Sequence, residues 1–462
     1  MSKIFSILLL ALFGAFLSLG EVLCADSNTH RFGYLGNAFG LVGSSSVAMP
    51  WSTAFASYSY FTPYDDLGFK WDRPHPGPFN RNIIEHERGV YDFTIPDAYV
   101  RAAEEHGISI IATIWPFVDW DQEHWEGLPG WETSTGWLAD LPASRYNPYD
   151  IEAYSNFVKA LVDRYNGDGV NDMPGLLYPV NYWEILNEPE SSLTAGSPMI
   201  FYKGTARDYV ELVKVTTTAI KEVYPQAKIL NGGATGGNTS YWQYVLDSLD
   251  FSPFDVGNWH YLPQRDDVGD LATSVWHDVF SHKNINRLWN TEYMVFSTNH
   301  PDTGANNSPD ELSQAKNIVK GYVRAFAAGA EKIFYVYYKM SDAGLIDPRG
   351  GRKKPAYFTL KNLIKKIDSF TSVTTIPLNH DTSTYAYRFE VAGKPVHVVW
   401  AASDKIITFP LSGTTVTGAL VTQSTPADES GNFNVSYYSV TNGSIDLYVS
   451  DTPCYIEEIS NK

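Results

Sequence analysis

Cysteine is nearly absent: 462 residues carry two, Cys24 and Cys454. A disulfide framework is therefore excluded as the basis of the fold. Positive charge is scarce as well, with 34 Lys and Arg against 52 Asp and Glu, and the resulting net charge of −18 repels nucleic-acid phosphates and anionic membrane surfaces. The sequence contains no HExxH, no CxxC pair, no G-x-S-x-G elbow and no phosphate-cradling glycine loop, so zinc proteases, serine hydrolases and nucleotide enzymes lose their usual support. No cofactor and no metal ligand set is expected. Past residue 24 no apolar run reaches the ~20 residues of a membrane helix.

What is plentiful is aromatic surface. Phe, Trp and Tyr make up 15% of the chain, including 13 Trp and 30 Tyr, more than a core of this size usually needs. Flat rings with polar edges suit a groove for sugars, whose C–H faces are also apolar. A neutral oligo- or polysaccharide fits the acidic surface better than any anionic partner.

Lys3, the apolar run Ile7 to Phe13 and the exit at Val22-Leu23-Cys24-Ala25 have the pattern of a secretory signal peptide. Residues 1–24 are read as that leader, implying a secreted or periplasmic protein without a membrane anchor after cleavage. From about residue 32 to residue 370, short apolar runs alternate with helical periodicity, the mark of repeated βα units. Eight candidate strands can be counted: Phe32 to Phe39, Phe69 to Arg73, Ser109 to Trp115, Tyr182 to Asn187, Lys228 to Asn231, Val256 to Tyr261, Arg287 to Glu292 and Lys332 to Tyr338. Helices are expected over Asp97 to His106, Ile151 to Tyr165, Tyr209 to Tyr224, Leu312 to Ala328 and Tyr357 to Ile367. Eight strands predict a closed (β/α)₈ TIM barrel over residues 25–370. Residues 371–462 lose the helical period and show runs such as Thr384 to Val391, Pro395 to Ala401 and Phe433 to Val440 between turns, which predicts a C-terminal β-sandwich. The loop Asn166 to Asp172 has oxygen ligands and glycines but lacks a full calcium-loop pattern, so a polar surface turn is expected there.

The run Tyr182-Trp183-Glu184-Ile185-Leu186-Asn187-Glu188-Pro189-Glu190 ends a strand abruptly, because proline cannot continue a ladder. Glu188 then closes the fourth strand and Glu292 the seventh, and in such a barrel strand ends converge on one mouth. Two carboxylates facing each other there can serve glycoside hydrolysis, one as proton donor and one as nucleophile or base. Glu184, inside the strand, and Glu190, beyond Pro189, are the rivals. Trp115, after strand three, and Tyr338, after strand eight, are candidate sugar platforms, with Trp120 and Trp125 behind them. His260 or Tyr261, ending strand six, can orient Glu292 or a sugar hydroxyl.

Asn187-Glu188-Pro189 on strand four with Glu292 on strand seven resembles clan A of the glycoside hydrolases, retaining enzymes built on a (β/α)₈ barrel. Trp71-Asp72-Arg73, the turn Glu87-Arg88-Gly89-Val90-Tyr91-Asp92-Phe93 and the sandwich look most like family 39 and its xylosidase-type relatives, with family 5 enzymes as the rival. The resemblance implies Glu188 as acid/base, Glu292 as nucleophile and Asn187 on the sugar 2-hydroxyl. Arg73 is the clan-like candidate to hold Glu292 ionised. It implies an exo-acting β-xylosidase- or β-glucosidase-like enzyme, against an endo-acting β-glycanase, a transglycosylase or lyase, or a non-catalytic carbohydrate-binding barrel.

Overall fold

The computed structural model describes residues 29–36, 60–128, 140–193, 200–235, 237–261, 269–297, 310–336, 338–339, 343–378, 381–413 and 415–460. The leader expected over residues 1–24 lies outside these residues. Eight parallel strands form the barrel: β1 (Phe32–Tyr34), β2 (Trp71–Asp72), β3 (Ser109–Ile114), β4 (Tyr182–Ile185), β5 (Lys228–Asn231), β6 (Gly257–Tyr261), β7 (Leu288–Tyr293) and β8 (Ala330–Tyr335). Their order is β5-β4-β3-β2-β1-β8-β7-β6. The remaining seam, β5 to β6, is closed by bridges Leu230 to Val256 and Ala234 to Trp259. Asn231 and Asn258 stitch it further, Nδ2 of Asn231 donating to the Asn258 carbonyl at 2.8 Å and the Asn258 amide to Asn231 Oδ1 at 2.6 Å.

A helix follows every strand: α1 (Thr62–Leu67), α2 (Thr94–Glu105), α3 (Ile151–Asp163), α4 (Ala206–Val223), α5 (Thr239–Asp247), α6 (Gly269–Ser281), α7 (Glu311–Ala327) and α8 (Pro355–Ile367). Their ends are written in the sequence. Asp150 caps α3 by accepting from the Ala153 amide, and Thr205 with Asp208 forms a capping box on α4. Pro355 opens α8 at a position where its missing N–H costs nothing. On α3 the buried residues Ala153, Tyr154, Phe157, Val158, Leu161 and Val162 form one face against the barrel. The periodicity reading misses α1, α5 and α6, whose apolar stripes are short or interrupted.

The barrel interior is layered by the period of two. A lower layer of Trp71, Ile111, Tyr182, Leu230, Val256, Trp289 and Phe334 forms its own cluster, with the rings of Trp71, Tyr182 and Trp289 within 5.2 Å of one another. Two residues further along β2, β3, β4, β6 and β7 stand Arg73, Thr113, Glu184, Asn258 and Thr291, all buried. Alternation therefore stacks a polar layer on an aromatic floor. Asp72, between these two layers in sequence, points outward instead. It accepts hydroxyl bonds from Tyr60, Tyr64 and Tyr99 at 2.9, 2.6 and 2.7 Å, tying α1 and α2 to the barrel, and burial lifts its carboxyl to about 6.

Beyond α8 the chain is antiparallel β-structure. One sheet has the order β14-β13-β16-β11-β10-β9, from β9 (Phe370–Thr375), β10 (Thr384–Val391), β11 (Lys394–Ala401), β13 (Val416–Gln423), β14 (Val435–Ser439) and β16 (Cys454–Ser460); β12 (Lys405–Pro410) pairs with β15 (Ser444–Val449). Phe409, Val421, Ile445, Leu447 and Ile456 fill the space between the two sheets. Cys454 lies in this core, where burial pushes its thiol up to about 12. The other face joins the barrel core through Phe389, Val398, Trp400 and Tyr455. Lys316 and Lys320 on α7 pair with Asp451, and Thr359 on α8 donates to the Ser424 carbonyl at 3.0 Å. In the loop Asn166 to Asp172, side-chain oxygens accept the loop's own amides: Asp172 takes those of Gly167 and Gly169, and Asn166 that of Asp168. This is the bonding of a polar surface turn. Among the described residues no helix is long and apolar enough to cross a membrane.

Candidate active site

At the C-terminal mouth of the barrel the end of β4 is forced out of the extended region. Leu186 has φ 67° and Glu188 φ 40°, left-handed values on either side of Asn187. Each costs about 1–3 kcal/mol in a non-glycine residue and persists only where neighbours over-determine it. Here the Leu186 amide donates to the Ile114 carbonyl at 3.1 Å and the Glu188 amide to the Gly232 carbonyl at 2.5 Å. A Cβ at Gly232 would lie 2.6 Å from the Ile185 carbonyl oxygen, so glycine is what lets β5 approach this closely. The turn breaks strand alternation and sends consecutive side chains, Asn187 and Glu188, into one cleft.

Arg73 organises that cleft from β2. Its guanidinium is fully buried and donates Nε to Glu184 Oε2 at 2.8 Å, Nη1 to Glu292 Oε1 at 2.9 Å and Nη2 to Asn187 Oδ1 at 2.5 Å. A planar fork suits this three-way task, which an ammonium cannot perform. Asn187 therefore presents its amide nitrogen, which has no partner among the described residues, as a donor to the cleft. Glu188 and Glu292 keep 18% and 15% of their side-chain surface exposed, so both stay reachable from the mouth. His260 stands between them, Nδ1 2.7 Å from Glu188 Oε1 and 3.7 Å from Glu292 Oε2. Taken with His260, one carboxylate oxygen from each glutamate lies within 4.8 Å of the other.

The two carboxyls differ in environment. Burial lifts Glu188 to about 7, opposed only by the charge of Arg73 at a distance. Burial raises Glu292 too and the charge of Glu188 adds to this, while His260 and then Arg73, through its charge and its hydrogen bond, oppose it. His260 is pulled down to about 4, first by burial and then by Arg73, so its ring is neutral at ordinary pH. His75, which follows β2 and is also buried, is held well below its usual value by burial and then by the charge of Arg73.

Glu188, His260 and Glu292 are also a donor set that suits a divalent cation. Arg73 already lies 2.9 Å from Glu292, however, and a dication there would meet a fixed guanidinium. The arrangement is better matched to anionic charge developing on a carboxylate than to a metal.

Other sequence-derived candidates lie elsewhere. Trp115 is 0% exposed; its Nε1 donates to the Pro76 carbonyl at 2.7 Å and its ring packs on His75 and Phe201. This corrects its reading as a platform, since no ring face is open to a sugar. Tyr338 is corrected likewise: it is 8% exposed, and its hydroxyl is taken up by Asp66 of α1 at 3.4 Å. Trp120 and Trp125 donate to the carbonyls of Glu85 and Asn147 and are only partly exposed. Tyr261 ends β6 opposite Tyr293, and its side chain lies outside the described residues. Glu184 is buried beneath the pair as a partner of Arg73. Glu190 is tied to the Thr235 amide and Trp242 Nε1 at 2.6 and 2.8 Å, and burial lifts it to about 8.

Sequence reasoning missed Asn258, Thr291 and His75. The available signal was a polar residue inside an apolar strand: Asn258 stands two before His260, on the same face. Thr291 was hidden because it adjoins Glu292, and strict alternation sends neighbours to opposite faces. The register of β7 against β8 shifts between Asn290 and Tyr293, an irregularity that allows both side chains to reach the cleft.

No protein-family model and no curated protein matches this chain. Solved structures do. A family 39 glycoside hydrolase from Bacteroides cellulosilyticus WH2 superposes with a TM-score of 0.63 at 17% identity, over 94% of this chain and 82% of that one. A family 39 β-xylosidase from Caulobacter crescentus gives 0.59 at 16% identity, over 93% and 99%. A family 30 endoxylanase from Clostridium papyrosolvens C71 gives 0.59 at 14%, over 93% and 96%. Across barrel and sandwich together, the chain shares the fold of these glycoside hydrolases.

Proposed function

We propose that this chain is a retaining β-glycoside hydrolase in which Glu188 is the acid/base and Glu292 the nucleophile. The observation that carries the reading is the unequal pair: two reachable carboxylates whose oxygens approach within 4.8 Å, of which Glu292 is the one that accepts a hydrogen bond from Arg73. Retaining enzymes hold their carboxyls about 5–5.5 Å apart, whereas inverting ones need roughly 6.5–9.5 Å to admit a water. Glu188, lifted to about 7, can carry a proton at neutral pH, and Arg73 favours the ionised form of Glu292.

In the first step Glu188 gives its proton to the glycosidic oxygen while Glu292 attacks the anomeric carbon and forms a glycosyl ester. In the second, water loses a proton to Glu188 and its oxygen displaces Glu292. The amide donor of Asn187 is suited to a sugar hydroxyl beside the reacting carbon. The fold neighbours include a β-xylosidase and an endoxylanase, which supports β-xylosides and xylan-type oligosaccharides as the first substrates to try. Product chromatography on polysaccharides then reads exo against endo cutting. The leader pattern supports export of the chain to act on such polymers outside the cytoplasm.

Glu188→Gln tests the acid. On an oligosaccharide its turnover is expected to fall by about 10²–10⁴-fold, the usual contribution of general acid catalysis. A dinitrophenyl glycoside, whose leaving group needs no proton, should keep its glycosylation rate. Because only protonated Glu188 is competent in the first step, kcat/KM of the wild-type chain should decline as pH rises through about 7. Equal losses on both substrates, or none, would remove Glu188 from the role.

A further inference from the structure

Beneath the two glutamates a buried chain of hydrogen bonds runs from Arg73 through Glu184, Asn258 and Thr291 to His260, and the direction of every bond in it is dictated. Arg73 Nε can only donate, and Glu184 Oε2 accepts it at 2.8 Å together with the Thr113 hydroxyl at 2.5 Å. The other Glu184 oxygen lies 2.5 Å from Asn258 Nδ2. The Asn258 amide must turn its NH₂ to that carboxylate, which leaves Oδ1 facing Thr291 Oγ1 at 2.9 Å. Thr291 has one hydroxyl proton, and Asn258 Oδ1 takes it. What Thr291 offers to His260 Nε2, 3.0 Å away, is a lone pair. Nε2 therefore carries the ring hydrogen, and Nδ1 of the neutral imidazole is bare.

That bare nitrogen is the one 2.7 Å from Glu188 Oε1. Two lone pairs cannot bond, so the carboxyl must supply the hydrogen. We infer that Asn258 and Thr291 are positioning residues that lock His260 as the Nε2–H tautomer, so that Nδ1 accepts a hydrogen bond from the protonated Glu188 carboxyl and keeps the acid loaded. The inference rests on the reading of Glu188 as acid/base and adds what holds its proton.

The opposite tautomer would invert the chemistry. An Nδ1–H donor would stabilise the Glu188 anion, empty the acid before substrate arrives and weaken the base of the second step. With Nδ1 bare, the Oε1 proton leaves His260 only when the glycosidic oxygen takes it, as the C–O bond breaks and Glu292 forms the ester. The resulting carboxylate faces a lone pair rather than a donor, and it recovers a proton from the attacking water as Glu292 departs. A doubly protonated ring is disfavoured by the groups around it: the charges of Arg73 on β2 and burial oppose it, while Glu292 on β7 and Glu184 on β4 favour it, and burial wins. His75, also near, is itself held neutral. The end of β5 lies against the ring, where a Cβ at Gly233 would come within 2.2 Å of Nε2, so glycine at that position leaves the imidazole its place.

The test is ring ¹⁵N NMR on the full chain with labelled histidine, without substrate, the His260 signal being assigned by its loss in His260→Gln. The wild-type chain is expected to show the neutral Nε2–H tautomer; an Nδ1–H tautomer or a doubly protonated ring overturns the inference outright. Thr291→Val removes the acceptor for Nε2–H, so the ring should shift toward Nδ1–H, and the basic limb of kcat/KM should move down by about one pH unit, the effect of one added hydrogen bond to a charged group. Thr291→Ser should restore both readouts. A Thr291→Val chain with unchanged tautomer, or with a shifted tautomer and an unmoved limb, contradicts the proposal. Absence of turnover by the wild-type chain contradicts the hydrolase reading instead, while the ring spectrum still decides the tautomer.

Discussion

Replacing Glu292 with alanine is expected to lower kcat by about 10⁴-fold or more, the scale on which losing a covalent nucleophile is felt. The fold should survive. Glu292 is partly exposed, it sits at the end of β7 rather than in the aromatic floor, and its removal leaves Arg73 still paired with Glu184. A small external nucleophile such as azide, entering the space of the lost carboxylate, should restore turnover of an activated aryl glycoside and yield a glycosyl azide of inverted configuration. Circular dichroism and thermal unfolding of the variant should match the wild-type chain. Full activity in Glu292→Ala, or inactivity with an unfolded barrel, would leave the nucleophile unassigned to this residue.

Arg73→Met should produce the largest loss of stability in the barrel. Arg73 and Glu184 are both fully buried, and removing one partner leaves the other charge without compensation, at about 3–5 kcal/mol. Asn187 loses its anchor and Glu292 its hydrogen-bonded cation in the same step. Urea unfolding followed by tryptophan fluorescence should show the lower midpoint, because Trp71 and Trp289 lie in the layer directly beneath. Arg73→Lys is expected to recover part of the stability and little of the activity, since one ammonium keeps the charge but cannot span three acceptors. An Arg73→Met chain as stable as the wild type would show that the buried charge cluster is not what holds the polar layer together.

The sequence carries the skeleton of this site because strand ends are punctuated. Pro189 stops β4, the acid of β7 follows an apolar run, and Arg73 closes the short β2, so counting strands brings Arg73, Asn187, Glu188 and Glu292 to one mouth. The sandwich is legible for the same reason: turn clusters such as Asn442-Gly443 mark its hairpins. Orientation is less legible. Alternation tells which residues share a face but not which face is inward, and so it does not separate a sugar platform from Trp115, buried against His75, or from Tyr338, turned to Asp66. Deviations from alternation are harder still. The left-handed residues around Asn187 and the irregular register of β7 put neighbours, Asn187 with Glu188 and Thr291 with Glu292, into the same cleft. The partner of His260 is a long-range fact: the ring was expected beside Glu292, and it bonds Glu188, 72 positions away along the chain.

The most direct test of the central claim is the anomeric configuration of the first product. Once an aryl β-glycoside that the chain turns over has been found, proton NMR within the first minutes of hydrolysis reads the newly formed sugar before it mutarotates. The close pair of Glu188 and Glu292 predicts the β-anomer first, the outcome of two displacements through an ester on Glu292. The α-anomer first would mean a single displacement by water and would contradict the account.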